Sequence, residues 1–275
     1  MKLLLSISLL LTFITVAAAQ QPLRSSLPAA TLMRIVQAED TRSWNSDLET
    51  LLSDQDAEAR SRAALAAGRI GDAKAVPALV TLLKNDNARN VRAMAAFALG
   101  EIESPNAADA LIATLDLNNR EDAQVRARAV EALGKIVATL PKAEEARAIP
   151  MRKAIFETLD FEGHRRGASD DDVVLLGLTA ALRAKPDKAG EIVAHFLRYS
   201  DARIRADAAN TLARLKLNDG NEKLRELLVK DPDPIVRANA ARVLGATEDK
   251  TAFEGLQDRA TKDGDLRVQI GRAHV

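Results

Sequence analysis

A ten-residue motif recurs along this chain and restricts the folds open to it. Its clearest copy is Val91–Gly100, which reads VRAMAAFALG, and the other copies follow V/I-R-x-x-A-A-x-x-L-G. The spacings of 32, 34, 79, 32 and 30 residues indicate a unit of about thirty residues, the period of a helical solenoid. The arginines that anchor this alignment are Arg60, Arg92, Arg126, Arg205, Arg237 and Arg267.

The 79-residue interval contains a degenerate copy of the motif. Val174–Leu182 reads VLLGLTAAL, with Leu175 in the arginine position. Counting this copy gives seven units, of which the fourth is longer, at about 138–184, and the seventh is truncated. The inserted loop, 163–172, has a basic half and an acidic half. We interpret it either as a functional loop or as a solvated insertion whose acids cap the next helix.

Each unit divides into two helices, which we name the A helix and the B helix, and the motif lies in the B helix. The A helices carry apolar residues at i, i+3 and i+4, as in Leu79, Leu82 and Leu83. A single hairpin has no partner for this apolar stripe, whereas stacked hairpins bury it in one continuous core. The sequence therefore predicts an all-α fold, an α-α superhelix of about seven hairpins over residues 46–269.

In most units an aspartate stands four residues before the arginine, where it suits the N-cap of the B helix. Such an Asp and Arg can pair along one helix, or with the copies in the next unit, which would build a ladder through the stack. The alternative is a charged row that binds a ligand. The predicted ladder comprises Asp56, Arg60, Arg92, Asp122, Arg126, Asp201, Arg205, Asp233 and Arg237.

The first 19 residues are typical of a cleaved signal peptide. Lys2 precedes an apolar run, and three small alanines at 17–19 suit the cleavage site. The run is too short for a comfortable membrane span. We therefore expect an exported protein, periplasmic or secreted, with no membrane span after cleavage. Residues 20–45 are expected to form an N-terminal capping helix and its connection to the repeats.

The last six residues, Ile270–Val275, break the repeat pattern within a helix. They also match the translation of a common sequencing-adapter sequence. We therefore expect a non-native tail at 270–275 and a natural chain that continues past Gln269.

Two stretches resemble a known repeat family. Asp231–Gly245 reads D-P-D-P-x-V-R-x-x-A-A-x-x-L-G, and Gly71–Leu79 reads G-D-x-x-A-V-P-A-L. The units over 46–269 resemble HEAT repeats, specifically the short HEAT-like repeats named after bilin lyases. This resemblance implies a right-handed superhelix with the B helices on its concave side. With the signal peptide and Arg92–Ser104, the chain also resembles exported bacterial proteins that join HEAT repeats to a cyclophilin-type peptidyl-prolyl isomerase.

The residue types present give catalysis little to work with. The chain has no cysteine, and its histidines, His164, His195 and His274, do not have the spacing of metal ligands. It lacks a glycine-rich phosphate loop and a serine nucleophile elbow. Lys+Arg and Asp+Glu both number 39, so no general basic surface favours nucleic acid. We predict no catalytic residue, cofactor site or metal site, and no nucleic-acid partner.

The variable positions of the B helices are expected on the concave face. On a helical wheel, positions +1, +2, +5 and +9 from the arginine lie opposite the shared residues. Leu65, Met94 and Phe97 would then form an apolar cluster flanked by charge, which suits a peptide or a partner helix. The alternative is that neighbouring B helices cover these side chains. The predicted partner-binding residues are Arg62, Leu65, Arg69, Met94, Phe97, Arg128, Glu131 and Lys135.

These observations favour an exported, non-catalytic repeat scaffold that binds a protein or peptide through its concave face. The alternative is the non-catalytic repeat region of a larger exported enzyme, which the second resemblance implies is a peptidyl-prolyl cis-trans isomerase. No residue of an isomerase domain is present in the sequence, so no catalytic residue is assigned.

Overall fold

The computed structural model describes residues 27–165 and 169–270, with the backbone alone at Ile270. Within these residues the chain forms α-helices and short 3-10 turns and contains no strand. The predicted all-α superhelix is confirmed. The predicted signal peptide at 1–19 lies outside the described residues, as do the middle of the 163–172 loop and residues 271–275.

Helix α1 (Ala29–Asp40) precedes seven helical hairpins, each made of one A helix and one B helix. The A helices are α2 (Ser46–Leu51), α4 (Val76–Asn85), α6 (Ala108–Thr114), α8 (Glu145–His164), α10 (Ala189–His195), α12 (Asn221–Lys230) and α14 (Phe253–Lys262). The B helices are α3 (Ala57–Ile70), α5 (Arg89–Ile102), α7 (Ala123–Thr139), α9 (Asp171–Ala184), α11 (Ala202–Leu215), α13 (Pro234–Ala246) and α15 (Leu266–Ile270).

The N-cap aspartates begin the B helices where the sequence indicates. The carboxylate of Asp56 accepts a hydrogen bond from the backbone N–H of Glu58, which satisfies one of the free donors at the helix start. Helix α5 departs from this pattern because Ala88 holds the N-cap position, and the carboxylate of Asp86 accepts from its N–H instead. The same capping bond is made by Asp122, Asp201 and Asp233.

The hairpins share one core of apolar side chains. Leu79 on an A helix and Leu99 on the facing B helix are fully buried, and burying one leucine contributes roughly 1.5–3 kcal/mol. The core continues into α1, which packs on α3 and buries Ile35 and Ala38. Because each hairpin completes its core only with its neighbours, the units stabilise one another.

Glycines near the end of the motif set the distance between successive B helices. A Cβ atom on Gly100 would lie 2.8 Å from the Cα of Ala132, and one on Gly134 would lie 2.6 Å from the Cα of Ala180. No side chain fits at these positions, so the B-helix backbones touch through glycine and alanine. The A helices approach one another less closely, which places the B helices on the inner side of the curve.

The degenerate copy of the motif lies one residue away from the predicted register. Asp170 is the N-cap residue of α9. Ala180 packs on Gly134 as Ala132 packs on Gly100. Val174, not Leu175, therefore occupies the arginine position of this unit.

The seventh unit differs from the predicted register by two residues. Asp265 accepts a hydrogen bond from the N–H of Arg267, as the N-cap residues of the other B helices do. Val268 is buried, and the side-chain Nε2 of Gln269 donates to the carbonyl of Asp263 at 2.6 Å. Gln269 therefore takes the place of the motif arginine, and the alignment on Arg267 is wrong. In this unit the Asp263–Asp265 pair ahead of the helix marks the register, as Asp231 and Asp233 do in the unit before it.

Candidate protein-interaction surface

A row of arginine–acid pairs links successive units along the connections between A and B helices. In the first unit, Nε and Nη2 of Arg60 donate to the two carboxylate oxygens of Asp86 at 2.6 and 2.9 Å. Its Nη1 donates to the backbone carbonyls of Asp54 and Gln55 at 2.7 and 3.1 Å. The guanidinium thus fixes the start of its own B helix and the entry to the next one. Equivalent bidentate pairs are Arg92–Glu121, Arg205–Asp231 and Arg237–Asp263.

The acid in each pair is not the predicted one. The sequence pattern predicts a pair between each arginine and an N-cap aspartate, whereas the partner is an acid one or two residues before the next N-cap. The N-cap aspartates are used by backbone N–H groups instead. Burial raises the pKa of Asp86, but the hydrogen bond from Arg60 helps to hold this pKa below its usual value. Since these guanidinium donors are used within the chain, the row stabilises the stack rather than presenting charge to a ligand.

The fourth unit alters this row. Nη2 of Arg126 donates to Glu162 at 2.8 Å and to Asp170 at 2.7 Å, and Glu162 is a buried carboxylate on α8. At the following junction, between α9 and α11, neither partner is charged. Val174 stands in the position of the arginine, and Tyr199 stands in the position of the acid. The pair is therefore absent at this one junction of the described array, between α9 and α11.

The predicted partner-binding residues on α5 and α7 do lie together on the B-helix face. We name Leu65, Met94, Phe97, Arg128, Glu131 and Lys135 the Phe97 patch. Phe97 and Met94 are each partly exposed, and Leu65 on α3 has the same intermediate exposure. Neighbouring helices therefore cover only part of these apolar side chains.

Two cations flank the Phe97 ring. The guanidinium carbon of Arg128 lies 5.4 Å from the ring centroid and Nζ of Lys135 lies 4.8 Å from it, within the range of cation–π attraction. Glu131 accepts hydrogen bonds from Arg128 and Lys135, each at 2.9 Å, and Lys135 also pairs with Glu101 at 2.7 Å. Burial raises the pKa of Glu131, but these two bonds outweigh it and hold the pKa below its usual value. The Phe97 ring is therefore held by the three charged residues of the patch, which Glu101 outside it helps to order.

The other two predicted residues, Arg62 and Arg69, face the amino-terminal helix. Both pair with Glu39 of α1, at 3.9 and 3.1 Å. They tie α1 to α3 in this structure and do not border the Phe97 ring.

The prediction that positions +1 face the groove is wrong. Ala93 on α5, and the alanines at the same position of α7, α11 and α13, are buried between neighbouring B helices. The predicted groove positions Gly177, Ala180 and Ala184 of α9 are buried as well. Positions +2, +5 and +9 mostly stay at least partly exposed, although Asn239 at +2 of α13 is buried. The close approach of the B helices covers more of each helix than a free helical wheel suggests.

The structure also brings together two histidines for which no sequence motif predicts a contact. The rings of His164 on α8 and His195 on α10 lie with their centroids 4.6 Å apart. Gly163 makes room for this contact, since a Cβ there would lie 3.1 Å from Cδ2 of His195. Only the glycine before His164 hints at the approach. Within residues 27–165 and 169–270 no group of three or more His, Cys, Asp or Glu side chains is placed to hold a metal ion.

Comparison with known families identifies the repeat. The family model for HEAT repeats matches residues 45–134, 88–150 and 190–274. The chain belongs to the HEAT-repeat family. HEAT repeats form scaffolds for protein interaction, and this repeat array is such a scaffold. A search of curated proteins finds no match.

Solved structures share the fold of this HEAT-repeat chain. The complex of CpcE and CpcF of phycocyanin lyase from Nostoc sp. PCC7120 is 21% identical, with 91% of this chain and 90% of that chain covered and a TM-score of 0.52. An engineered protein is 23% identical, with 90% and 70% covered and a TM-score of 0.57. At these identities the likeness establishes the fold alone. Among the helices the structure describes, none is both long and apolar enough to cross a membrane.

Proposed function

We propose that this HEAT-repeat array binds a partner protein or peptide on its B-helix face, with the Phe97 patch as the anchor. The observation that supports this proposal is the partly exposed ring of Phe97 held between Arg128 and Lys135. Aromatic and arginine side chains carry most of the binding energy at protein interfaces. Because Glu131 and Glu101 already order the two cations, little side-chain freedom is lost when a partner docks.

The charges of the patch define what a partner must offer. An apolar side chain would cover the free part of the ring and displace poorly bound water. Arg128, whose side chain is 41% exposed, would take an acidic or carbonyl group beside that anchor. Lys135 is largely covered and already shared by two glutamates, so it acts mainly by holding the ring face. The partner is accordingly a segment with an apolar anchor next to an acceptor.

The test selects binders without assuming the partner. A displayed library of random 16-residue peptides is panned against the chain, and the affinity of enriched peptides is measured by fluorescence anisotropy. Phe97→Ala and Arg128→Glu should each weaken binding at least about tenfold. The matched control is Phe253→Ala, since Phe253 is 66% exposed on α14 and lies outside the patch. Peptides that bind Phe97→Ala and Arg128→Glu as tightly as the unchanged chain would refute the proposal.

Export is a separate proposal that rests on residues 1–19 alone. Expression of the full sequence in a bacterium, followed by mass spectrometry of the product, should give a chain that begins at Gln20. A product that retains residues 1–19 would contradict it. The isomerase alternative stays a prediction, because it rests on resemblance and not on a residue of this chain.

A further inference from the structure

The fourth unit contains an A helix that is much longer than its neighbours. Helix α8 has 20 residues, whereas α6 and α10 have 7 each. On the α10 side, the end of α8 is covered by His195 and Phe196, which pack against His164 and Gly163. On the α6 side, among the described residues, a groove of about 830 Å³ remains between α8 and the segment 112–118.

This α6–α8 groove has an apolar floor. Ile112 and Leu115 line one wall, and Ala154 and Phe161 line the α8 wall. Leu117 stands at the rim with 45% of its surface exposed. The α8 residues that line the groove fall at helical spacing from 154 to 164, a length of about 15 Å at 1.5 Å per residue. This length suits two to three turns of a docked helix, which would lie against α8 beyond the end of α6.

The rim of the groove is acidic. Asp116, Glu157 and Asp160 line it, and Arg165 is the one arginine or lysine among its described lining residues. Arg165 is used within the chain, since its Nη1 donates to Asp170 at 2.8 Å and lies 3.4 Å from Glu162.

All three rim acids have neighbours of their own, and Asp116 accepts hydrogen bonds from the backbone N–H and the side-chain Nδ2 of Asn118, both at 2.9 Å. Glu157 pairs with Lys153 at 3.5 Å with both side chains exposed, which is a weak interaction. Asp160 lies 3.3 Å from Nδ1 of His164. The rim of the groove therefore presents net negative charge to a binding partner.

We propose that the α6–α8 groove binds a basic amphipathic helix of a partner protein. Its apolar side chains would fill the floor beside the Phe161 ring, whose centroid lies 5.9 Å from the guanidinium carbon of Arg165. Its lysines or arginines would meet Asp116, Glu157 and Asp160. This is the helix-in-groove mode of recognition, in which residues at i, i+3, i+4 and i+7 serve as anchors. The site lies in the A-helix layer and goes beyond the interaction proposed for the Phe97 patch.

The experiment uses a model helix as the probe. It is a fluorescein-labelled 14-residue peptide, acetylated and amidated, with leucine at i, i+3, i+4 and i+7 and lysine elsewhere. Its counterpart carries glutamate in place of lysine. Anisotropy should show saturable binding of the lysine peptide that weakens as salt rises. The glutamate peptide should bind at least tenfold more weakly.

Surface variants locate the binding. Leu117→Glu, and Glu157→Lys combined with Asp160→Lys, should each weaken the lysine peptide at least tenfold. The matched control is Val229→Glu, because Val229 is also 45% exposed on an A helix but lies outside the groove. Circular dichroism melts establish that each variant is folded.

Four results would overturn the proposal. Two of them concern the peptides: the absence of saturable binding, and equal affinity for the lysine and glutamate peptides. The third is an equal loss of affinity for the lysine peptide in Leu117→Glu and Val229→Glu. The fourth is a dimer in sedimentation that Leu117→Glu abolishes. The last result would assign the groove to a second copy of this chain. A loss in Phe97→Ala without a loss in Leu117→Glu would place the peptide on the Phe97 patch and overturn the groove alone.

Discussion

The regular units and the fourth unit solve the same packing problem in different ways. In the regular units, glycine meets alanine between B helices, and an arginine pairs with the next unit's acid. In the fourth unit, α9 carries Leu182 at the position of the motif glycine, and Val174 and Tyr199 replace the charged pair. The long helix α8 supplies the buried Glu162 to Arg126 instead.

This difference explains where the molecule has room for function. Similar junctions stack the B helices closely and bury position +1 of α5, α7, α11 and α13, while positions +2, +5 and +9 mostly stay at least partly exposed. Where a unit departs from the repeat, an A helix projects beyond its neighbour and a groove opens beside it. A regular unit therefore offers single side chains on a flat row, as at Phe97, whereas the irregular unit offers a concave site.

The largest expected effect comes from filling a glycine–alanine contact between two B helices. Gly134→Leu places a side chain where a Cβ alone would lie 2.6 Å from the Cα of Ala180, and backbone has little freedom to retreat. We expect destabilisation of roughly 3 kcal/mol or more, by urea unfolding followed by circular dichroism. The control is Gly255→Ala on α14, where the new Cβ would be 3.5 Å from Leu228. An unchanged midpoint for Gly134→Leu would show that this junction is loosely packed.

A smaller effect should follow from converting a regular pair into the irregular one. Arg60→Val leaves the Asp86 carboxylate, whose side chain is 5% exposed, without its partner, at a cost of about 2–3 kcal/mol. Combining it with Asp86→Tyr reproduces the residue pair of the fourth unit and removes the stranded charge. The double variant should therefore be more stable than Arg60→Val alone. A double variant less stable than the single one would show that Val174 and Tyr199 depend on surroundings that a regular junction lacks.

The smallest effect is the pH dependence of the regular junctions. Hydrogen bonds from Arg60 and Arg237 hold the pKa values of Asp86 and Asp263 below their usual value. A lowered pKa in the folded chain gives stability that is fully present above the unfolded pKa of about 4 and is lost as the pH falls further. Asp207 on α11 contributes to the pH dependence of stability with the opposite sign, because burial raises its pKa.

Urea unfolding between pH 6 and pH 3 tests this dependence. The unchanged chain should lose stability below about pH 4, and Arg60→Val with Asp86→Tyr should lose less over the same range. Equal losses in both chains would show that the Arg60–Asp86 pair does not contribute to the acid sensitivity.

Much of the architecture was readable from the repeat. Seven hairpins, the N-cap aspartates and the buried leucines follow from apolar spacing and cap chemistry, which are local properties of the chain. The register failed in two units, where Leu175 and Arg267 resemble the motif more than the true equivalents Val174 and Gln269 do. In the seventh unit Asp265 marks the helix start, whereas in the fourth unit the run Asp170–Asp172 contains three possible N-caps.

The candidate site was predictable only in part. Phe97, Met94 and Arg128 lie on the inner face as the helical wheel suggests, but the wheel gave no measure of how much the neighbours cover. Glycine at the B-helix contacts decides that coverage, because it sets the backbone distance. The pairing of Arg62 and Arg69 with Glu39 depends on where α1 docks, which no repeat pattern encodes.

The sequence by itself determined the repeat and its helices, because periodicity and capping act within a few residues. The tertiary structure alone decided which acid each arginine meets, since Arg60 and Asp86 are 26 residues apart and several acids stand nearby. It also decided that α8 extends beyond the end of α6, so that a groove forms beside α8. Helix length is local, but the space beside a helix depends on the length of its neighbour in the stack.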